Sequence, residues 1–353
     1  LLAQQGLAQE NLGDIDAQTL PGAIATGTHG TGAALGSLST QVSGFTLLAA
    51  DGTLRQVAAD SEPELFAAGR VSLGALGILT RIRLKLRPAY RLHLRVQRGT
   101  LDQCLAEAQA WADGHRNFEF FWFPGTPYTL LKFADETTAP VRPRSRWQRR
   151  LDEVLETGVF GALSELAHAV PAFSPLVAQL AGRFVGTSDT VDAAHRIYPT
   201  ARRVRFHEME YALPRQNLVP ALEAIRRQLG RARYRVFFPL ECRFTAADDS
   251  WLSPAYRRDS AYIAVHMYRG MPFERYFRDL EAILREHQGR PHWGKWHSLA
   301  AAELAELYPR WAEFQALRQR LDPTGVFLNP YLCRLFGADQ PLPAGSKPSC
   351  ATT

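Results

Sequence analysis

Cysteine is scarce in this chain. Cys104, Cys242, Cys333 and Cys350 are the four among 353 residues, and no two form a Cys-x-x-Cys pair. That scatter predicts reduced thiols, without a zinc centre or a disulfide framework. Long apolar runs are missing too: none approaches the ~20 residues of a membrane-spanning helix, so no span is expected. The Gly-x-Ser-x-Gly elbow of a Ser-His-Asp hydrolase is absent. His29 has no His, Asp or Glu at ligand spacing, and His292 with His297 is a lone pair on a loop, so no metal site is expected. There is no internal repeat, and the start, Leu1-Leu2-Ala3-Gln4-Gln5, has neither a methionine nor a signal-peptide pattern.

What is present is ordinary for a folded, water-soluble chain long enough for two domains: 46% hydrophobic and 22% charged residues. The net charge of +6 is concentrated in places such as Arg142, Arg144, Arg146, Arg149 and Arg150. A basic, exposed helix start explains that run, with anionic lipid or nucleic acid as the second reading. No aromatic interleaving or nucleic-acid motif accompanies it, so no nucleic-acid partner is expected.

The most distinctive segment is Ala25-Thr26-Gly27-Thr28-His29-Gly30-Thr31-Gly32. Four of its eight side chains are glycine or alanine, which lets backbone approach a flat or charged ligand and take positive φ. A dinucleotide fingerprint would need a strand before it and a helix at its third glycine, and a P-loop would need Gly-Lys-Ser/Thr. Neither pattern is present, and an irregular glycine-rich turn is the plain alternative.

Several motifs in order carry a family resemblance. The run Asn11-Leu-Gly-Asp-Ile-Asp-Ala-Gln-Thr-Leu-Pro-Gly22, the loop at 25–32 and Ser72-Leu-Gly-Ala-Leu-Gly-Ile78 come first. Glu208-Met-Glu-Tyr211, Glu241-Cys-Arg243, His292-Trp-Gly-Lys295 and Asp322-Pro-Thr-Gly-Val-Phe-Leu-Asn329 follow. From about residue 10 to about 335 the chain resembles the FAD-linked oxidases of the vanillyl-alcohol oxidase superfamily. Within it, the likeness is to the aldonolactone oxidases, which include D-arabinono-1,4-lactone, L-gulonolactone and alditol oxidases. The resemblance implies that the flavin domain begins well upstream, with a phosphate-binding loop and, in many members, a histidine bonded covalently to the flavin. On that expectation the chain holds the second half of that domain, and the flavin linkage stays open.

Periodicity supplies the organisation. Phe45, Leu47 and Ala49 alternate ahead of the Asp51-Gly52 hairpin signal, with residues 54–57 as the return strand. Ile82, Leu84 and Leu86 alternate with basic residues, and Pro88 closes the unit; Leu92, Leu94 and Val96 open the next. Beyond it, residues 102–113 read as a helix, 118–123 as a strand, and 146–184 as one or two helices broken at Pro171 and Pro175. Strands at 203–211, 235–244 and 261–268 follow, with a helix carrying Leu218, Leu222, Ile225 and Leu229, and another carrying Phe277, Leu280 and Leu284. This order predicts an α+β fold with an antiparallel sheet covered by helices. With the resemblance, residues 1–88 are expected to be part of an FAD-binding domain of the vanillyl-alcohol oxidase (PCMH) type. Residues 89–321 would be the substrate (cap) domain, 322–336 a segment returning to the flavin site, and 337–353 an unstructured tail.

The strand at 235–244 separates into faces. Val236, Phe238, Leu240, Cys242 and Phe244 are apolar; Glu241 and Arg243 lie side by side on the other face. On 261–268, Tyr262, Ala264, His266 and Tyr268 oppose Ile263, Val265 and Met267. If the strands are neighbours, Glu241, Arg243, His266 and Tyr268 form one polar floor; a solvated face with a surface ion pair is the alternative. The resemblance places residues matching Glu241, Arg243 and Lys295 against the flavin, joined by a hydroxyl residue matching Thr31. Position 266 departs from alditol oxidase, which has threonine there. Glu241, Arg243, Lys295 and His266 are therefore the expected catalytic residues, and Thr31, Tyr268 and Asn329 the expected substrate contacts. Gly27, Thr28, His29, Gly30, Thr31, Gly32, Gly77, Ile78 and His292 are expected to hold FAD.

The implied reaction is oxidation of an alcohol on a sugar lactone or polyol, with hydride passing to FAD and oxygen as acceptor. An alditol oxidase, a dehydrogenase using a quinone or cytochrome, and a non-catalytic binding module are the alternatives. A cytoplasmic location is expected, with peripheral membrane contact left open.

Overall fold

The structure, a computed structural model, describes residues 1–15, 17–142, 160–199 and 204–338. The arginines at 144, 146, 149 and 150, the first part of the helical stretch expected at 146–184, and the tail beyond 338 lie outside these residues.

Three strands form a small sheet: β2 (Val42–Leu48) at its centre, β3 (Leu54–Val57) on one side and β4 (Ile78–Leu84) on the other, all antiparallel. The Asp51-Gly52 turn is built as its residues dictate. Gly52 has φ 80°, and the Asp51 carboxylate accepts from the Thr53 amide at 2.9 Å and hydroxyl at 2.6 Å. A two-stranded pair, β1 (Leu7–Ala8) with β5 (Arg87–Pro88), joins the chain start to the large sheet's entry.

The large sheet has eight strands. In chain order they are β6 (Arg91–Thr100), β7 (Asn117–Trp122), β8 (Tyr128–Glu136), β9 (Ser188–Ala193), β10 (Phe206–Pro214), β11 (Leu240–Thr245), β12 (Ser260–Tyr268) and β13 (Arg290–Pro291). Their spatial order is β13-β10-β12-β11-β7-β8-β6-β9, and every pairing is antiparallel. One face is apolar: Phe118, Phe120, Met209, Tyr211, Cys242, Phe244, Ile263 and Val265 are buried there. The helices Leu101–Gly114, Leu218–Arg231 and Glu274–Glu286 supply the rest of that core with Leu101, Cys104, Leu218, Leu222, Ile225, Phe277, Leu280 and Leu284. Each fully buried side chain of this size is worth about 1.5–3 kcal/mol. The first of these helices starts on a capping box, Thr100 with Gln103, at 3.3 and 2.9 Å.

Two strands depart from the expected bounds. The one expected at 235–244 begins only at Leu240, because Pro239 has no amide to give the ladder. Phe238 is buried in the core as expected, in an aromatic group with Phe206, His266 and Tyr268 at centroid distances of 5.6, 6.4 and 6.2 Å. The strand expected at 203–211 runs three residues further, to Pro214.

Candidate functional site

The other face of the large sheet carries the charges, and the register explains their arrangement. Glu241 on β11 lies opposite Ala264 on β12, which lies opposite Glu210 on β10. One pair along, Arg243 faces Tyr262, and His266 faces Glu208. Alternation within each strand puts Glu208, Glu210, Glu241, Arg243 and His266 on one surface. The segment around Gly13 to His29 closes over it, leaving a cleft lined by Asp14, Gln18, Thr28, His29, these five side chains, His292 and Lys295.

Arg243 is the centre of one charge group. Its Nη2 lies 2.6 Å from Asp14 Oδ2 and is hydrogen-bonded to Glu241 Oε1. Its Nε is 3.2 Å from Glu119 Oε2 without the alignment of a hydrogen bond. Glu119 also takes a bond from Lys132 at 2.8 Å. Burial disfavours the guanidinium's charge, but Asp14, Glu241 and Glu119 outweigh it and hold the Arg243 pKa well above its ordinary value.

Lys295 anchors a second group. The turn that carries it is fastened to β10: the His292 amide donates to the Glu210 carbonyl at 2.9 Å, and the Trp296 amide to that of Glu208 at 3.0 Å. Trp293, beside it, is a packed anchor whose indole donates to the Leu252 carbonyl at 2.6 Å. Lys295 Nζ is hydrogen-bonded to Glu208, whose other oxygen stands 3.4 Å from His266 Nε2. His266 Nδ1 lies 2.9 Å from the Pro239 carbonyl, which fixes the proton on Nδ1 and leaves Nε2 facing the carboxylate.

The third group joins residues that sequence spacing did not connect. His29 Nε2 is 3.3 Å from Glu210, and ligand atoms of His29, Glu210 and His292 all lie within 4.8 Å of one another. Such a set could be read as a metal centre, yet His292 Nδ1 accepts a bond from the Gly294 amide at 3.0 Å. Its proton therefore sits on Nε2, which makes that nitrogen a donor and not a ligand. Burial lowers the His292 pKa to about 4, with the charge on Glu210 only partly restoring it. The group is a cluster of polar side chains along the cleft wall.

The loop at 25–32 takes the positive φ expected of its glycines, 71° at Gly27 and 142° at Gly32, and contacts within the chain add a further demand. A Cβ on Gly30 would meet the Leu12 carbonyl oxygen at 2.1 Å, and one on Gly32 (φ 142°) would meet that of Arg116 at 2.7 Å. These glycines press against the chain itself, while Thr28 and His29 face the cleft.

Three expected substrate contacts are not among the cleft-lining residues. The Thr31 hydroxyl donates to the Phe118 carbonyl and accepts from the Phe244 amide at 3.2 Å, bridging β7 and β11 where their ladder ends. Tyr268 donates to Glu165 in helix Phe160–Ala169. Asn329 caps helix Pro330–Phe336, accepting from the Leu332 amide at 2.9 Å. Gly77 packs against the Leu48 carbonyl, and Ile78 is 53% exposed. Conversely, the cleft uses Asp14, Glu208 and Glu210, which were not expected as site residues, with Glu119 behind them. Glu208-Met-Glu-Tyr211 carried the available signal, because two acids alternate there with two apolar residues.

The comparisons with known proteins agree with one another. The D-arabinono-1,4-lactone oxidase family model matches residues 82–335. An L-gulono-1,4-lactone dehydrogenase from Mycobacterium tuberculosis is 42% identical over 336 residues, which span 95% of this chain and 78% of that protein. An L-gulonolactone oxidase from Scyliorhinus torazame is 34% identical, over 94% and 76% of the two chains. Among solved structures, cholesterol oxidase from B. sterolicum superposes with a TM-score of 0.80 over 95% of this chain and 78% of its own, at 17% identity, so it shares the fold. The chain belongs to the D-arabinono-1,4-lactone oxidase family, a family of FAD-dependent oxidoreductases.

Proposed function

We propose that this protein oxidises an alcohol carbon of an aldonolactone of the D-arabinono-1,4-lactone type, with the hydride passing to flavin and oxygen as the final acceptor. The single observation that supports it most is the cleft wall. Two fixed cations, Arg243 and Lys295, stand on rigid scaffold beside the carboxylate of Glu241 and the imidazole of His266.

That donor set fits the redox end of a flavin: Arg243 and Lys295 suit an anionic ring edge, and the buried Arg243 Nε has a hydrogen to spare. The loop residues Gly27, Thr28, His29, Gly30, Thr31 and Gly32, with Gly77, Ile78 and His292, would hold the cofactor. On this reading residues 1–88 belong to the cofactor domain and 89–321 to the substrate domain. When bound, FAD supplies the hydride acceptor.

The chain's own groups do the rest. Arg243 and Lys295 stabilise negative charge on the substrate oxygen, and fixed cations in a water-poor cleft need no reorganisation to do so. Glu241, held by Arg243, orients the substrate hydroxyl. Only in its neutral form does His266 take the hydroxyl proton at Nε2, and Glu208, 3.4 Å away, stabilises the imidazolium that forms. Loss of hydride and proton next to the lactone carbonyl gives a keto-lactone, which enolises.

The test is a panel of aldonolactones and alditols offered to the FAD-loaded protein, with oxygen uptake and hydrogen peroxide followed. Turnover of lactones with peroxide formation supports the reading. Turnover of alditols alone, or of lactones only with an added acceptor, replaces the substrate or acceptor part of it.

A further inference from the structure

The helix Glu274–Glu286 carries a buried carboxylate that the proposed chemistry does not use. Glu281 is 3% exposed. Its Oε1 accepts from the Tyr211 hydroxyl and, at 2.8 Å, from the Ser298 amide, while its Oε2 accepts from the Ser298 hydroxyl. None of these donors is a cation. Arg285, one turn further along the helix, pairs with Glu303 at 2.7 Å instead. A carboxylate is costly to bury unless its oxygens are filled, and here directed hydrogen bonds from both partners fill them. An apolar side chain would pack this helix on the sheet as Phe277, Leu280 and Leu284 do, so the carboxylate asks for another reason.

Its two anchors belong to the two segments that form the Lys295–Glu208 pair. Tyr211 follows Glu208 by three residues on β10, and Ser298 follows Lys295 by three residues in the turn. Strand and turn are therefore joined twice: at the cleft by Lys295 on Glu208, and three residues on by Glu281 between Tyr211 and Ser298. Trp296, between the two ties, packs its ring 5.5 Å from Phe277 of the same helix. A lysine reaches its partner on a flexible four-carbon stem, so its ammonium is placed only as well as the backbone beneath it is held. We infer that Glu281 is a positioning residue for the oxidation: by bridging Tyr211 and Ser298 it sets how the turn stands against β10, and so where the Lys295 ammonium sits in the cleft. This role rests on the reading above, in which Lys295 acts on the substrate oxygen beside FAD.

The experiment uses the full chain loaded with FAD and reduced anaerobically by an aldonolactone. Glu281→Leu should slow flavin reduction about tenfold, with little change in the lactone concentration that gives half the limiting rate. Glu281→Gln keeps an oxygen for the Ser298 amide and the Tyr211 hydroxyl, and should recover most of the rate. On a Lys295→Met background Glu281→Leu should slow the step no further. Leu280→Ala, a core truncation on the same helix, should keep the wild-type rate. Labelling by dilute acetic anhydride, read by mass spectrometry, should modify Lys295 faster in Glu281→Leu than in wild type, with Lys132 unchanged. If Glu281→Leu does not fold, Tyr211→Phe with Ser298→Ala removes both hydroxyl bonds and should give the same slowing and the same labelling. Equal slowing by Leu280→Ala, a further fall on the Lys295→Met background, or unchanged labelling of Lys295 overturns the role. A slow Lys295→Met beside a wild-type rate in Glu281→Leu overturns it alone, whereas a wild-type rate in Lys295→Met overturns the reading on which it rests.

Discussion

Lys295 and Glu208 form a partly buried ion pair in which the carboxylate serves two partners, the ammonium and His266. Burial alone would raise the Glu208 pKa, but Lys295 and His266 outweigh it and bring it down to about 2. Burial would lower that of Lys295, and Glu208 with Glu210 outweighs it and raises it. Glu208→Gln should leave Lys295 less firmly placed and deprive the His266 imidazolium of its counter-charge. A fall in kcat of about 10²-fold or more, larger than the change in KM, is expected from steady-state kinetics on a lactone.

Arg243 lies among three carboxylates, so its removal leaves buried like charges uncompensated. Arg243→Met should cost about 3–5 kcal/mol of stability in denaturant unfolding. Adding Glu241→Gln to it should recover part of the loss. A double variant no more stable than the single one would show that the carboxylates do not repel one another as the geometry implies.

Thr31→Val tests a residue whose expected role and observed place differ. Both bonds of its hydroxyl go to backbone, so the variant should lose about 1–3 kcal/mol of stability with kcat and KM for the lactone kept near wild type. A large rise in KM without a stability change would return Thr31 to the substrate.

His292 gives a pH dependence with a definite sign. Its folded pKa of about 4 lies below the ordinary 6.5, so the unfolded chain binds the proton first as pH falls. The stabilisation is present above pH 6.5 and is lost as pH falls toward 4, by roughly 3 kcal/mol in all. Unfolding measured across that window should be flatter in His292→Gln.

The legible parts were those governed by periodicity. The hairpin at Asp51-Gly52, helix Leu218–Arg231 and strand β12 follow from local pattern, as does the shared face of Glu241 and Arg243. The neighbouring position of β11 and β12, needed to bring His266 to that face, was a condition the sequence could state but not decide. Asp14 was out of reach, because a loop carboxylate meets Arg243 only once the segment at 13–29 has closed over the sheet. Glu119 alternates visibly between Phe118 and Phe120, but its partner lies on a strand 124 positions later. Strand β8 and the helices Ala301–Leu307 and Trp311–Leu321 were not read at all: tertiary packing, more than any sharp local signal, sets them. The glycines at 30 and 32 stood out by their density, but the contacts they make within the chain were not legible, since self-contact and ligand contact ask for the same missing Cβ.

The central claim is that the β11 pair and Lys295 act on the substrate at the flavin. Anaerobic stopped-flow reduction of bound FAD by an aldonolactone tests it most directly, comparing wild type with Glu241→Gln and Lys295→Met. The account predicts reduction rates lower by about 10²-fold or more in each variant, with flavin still bound. Rates equal to wild type in both would contradict it.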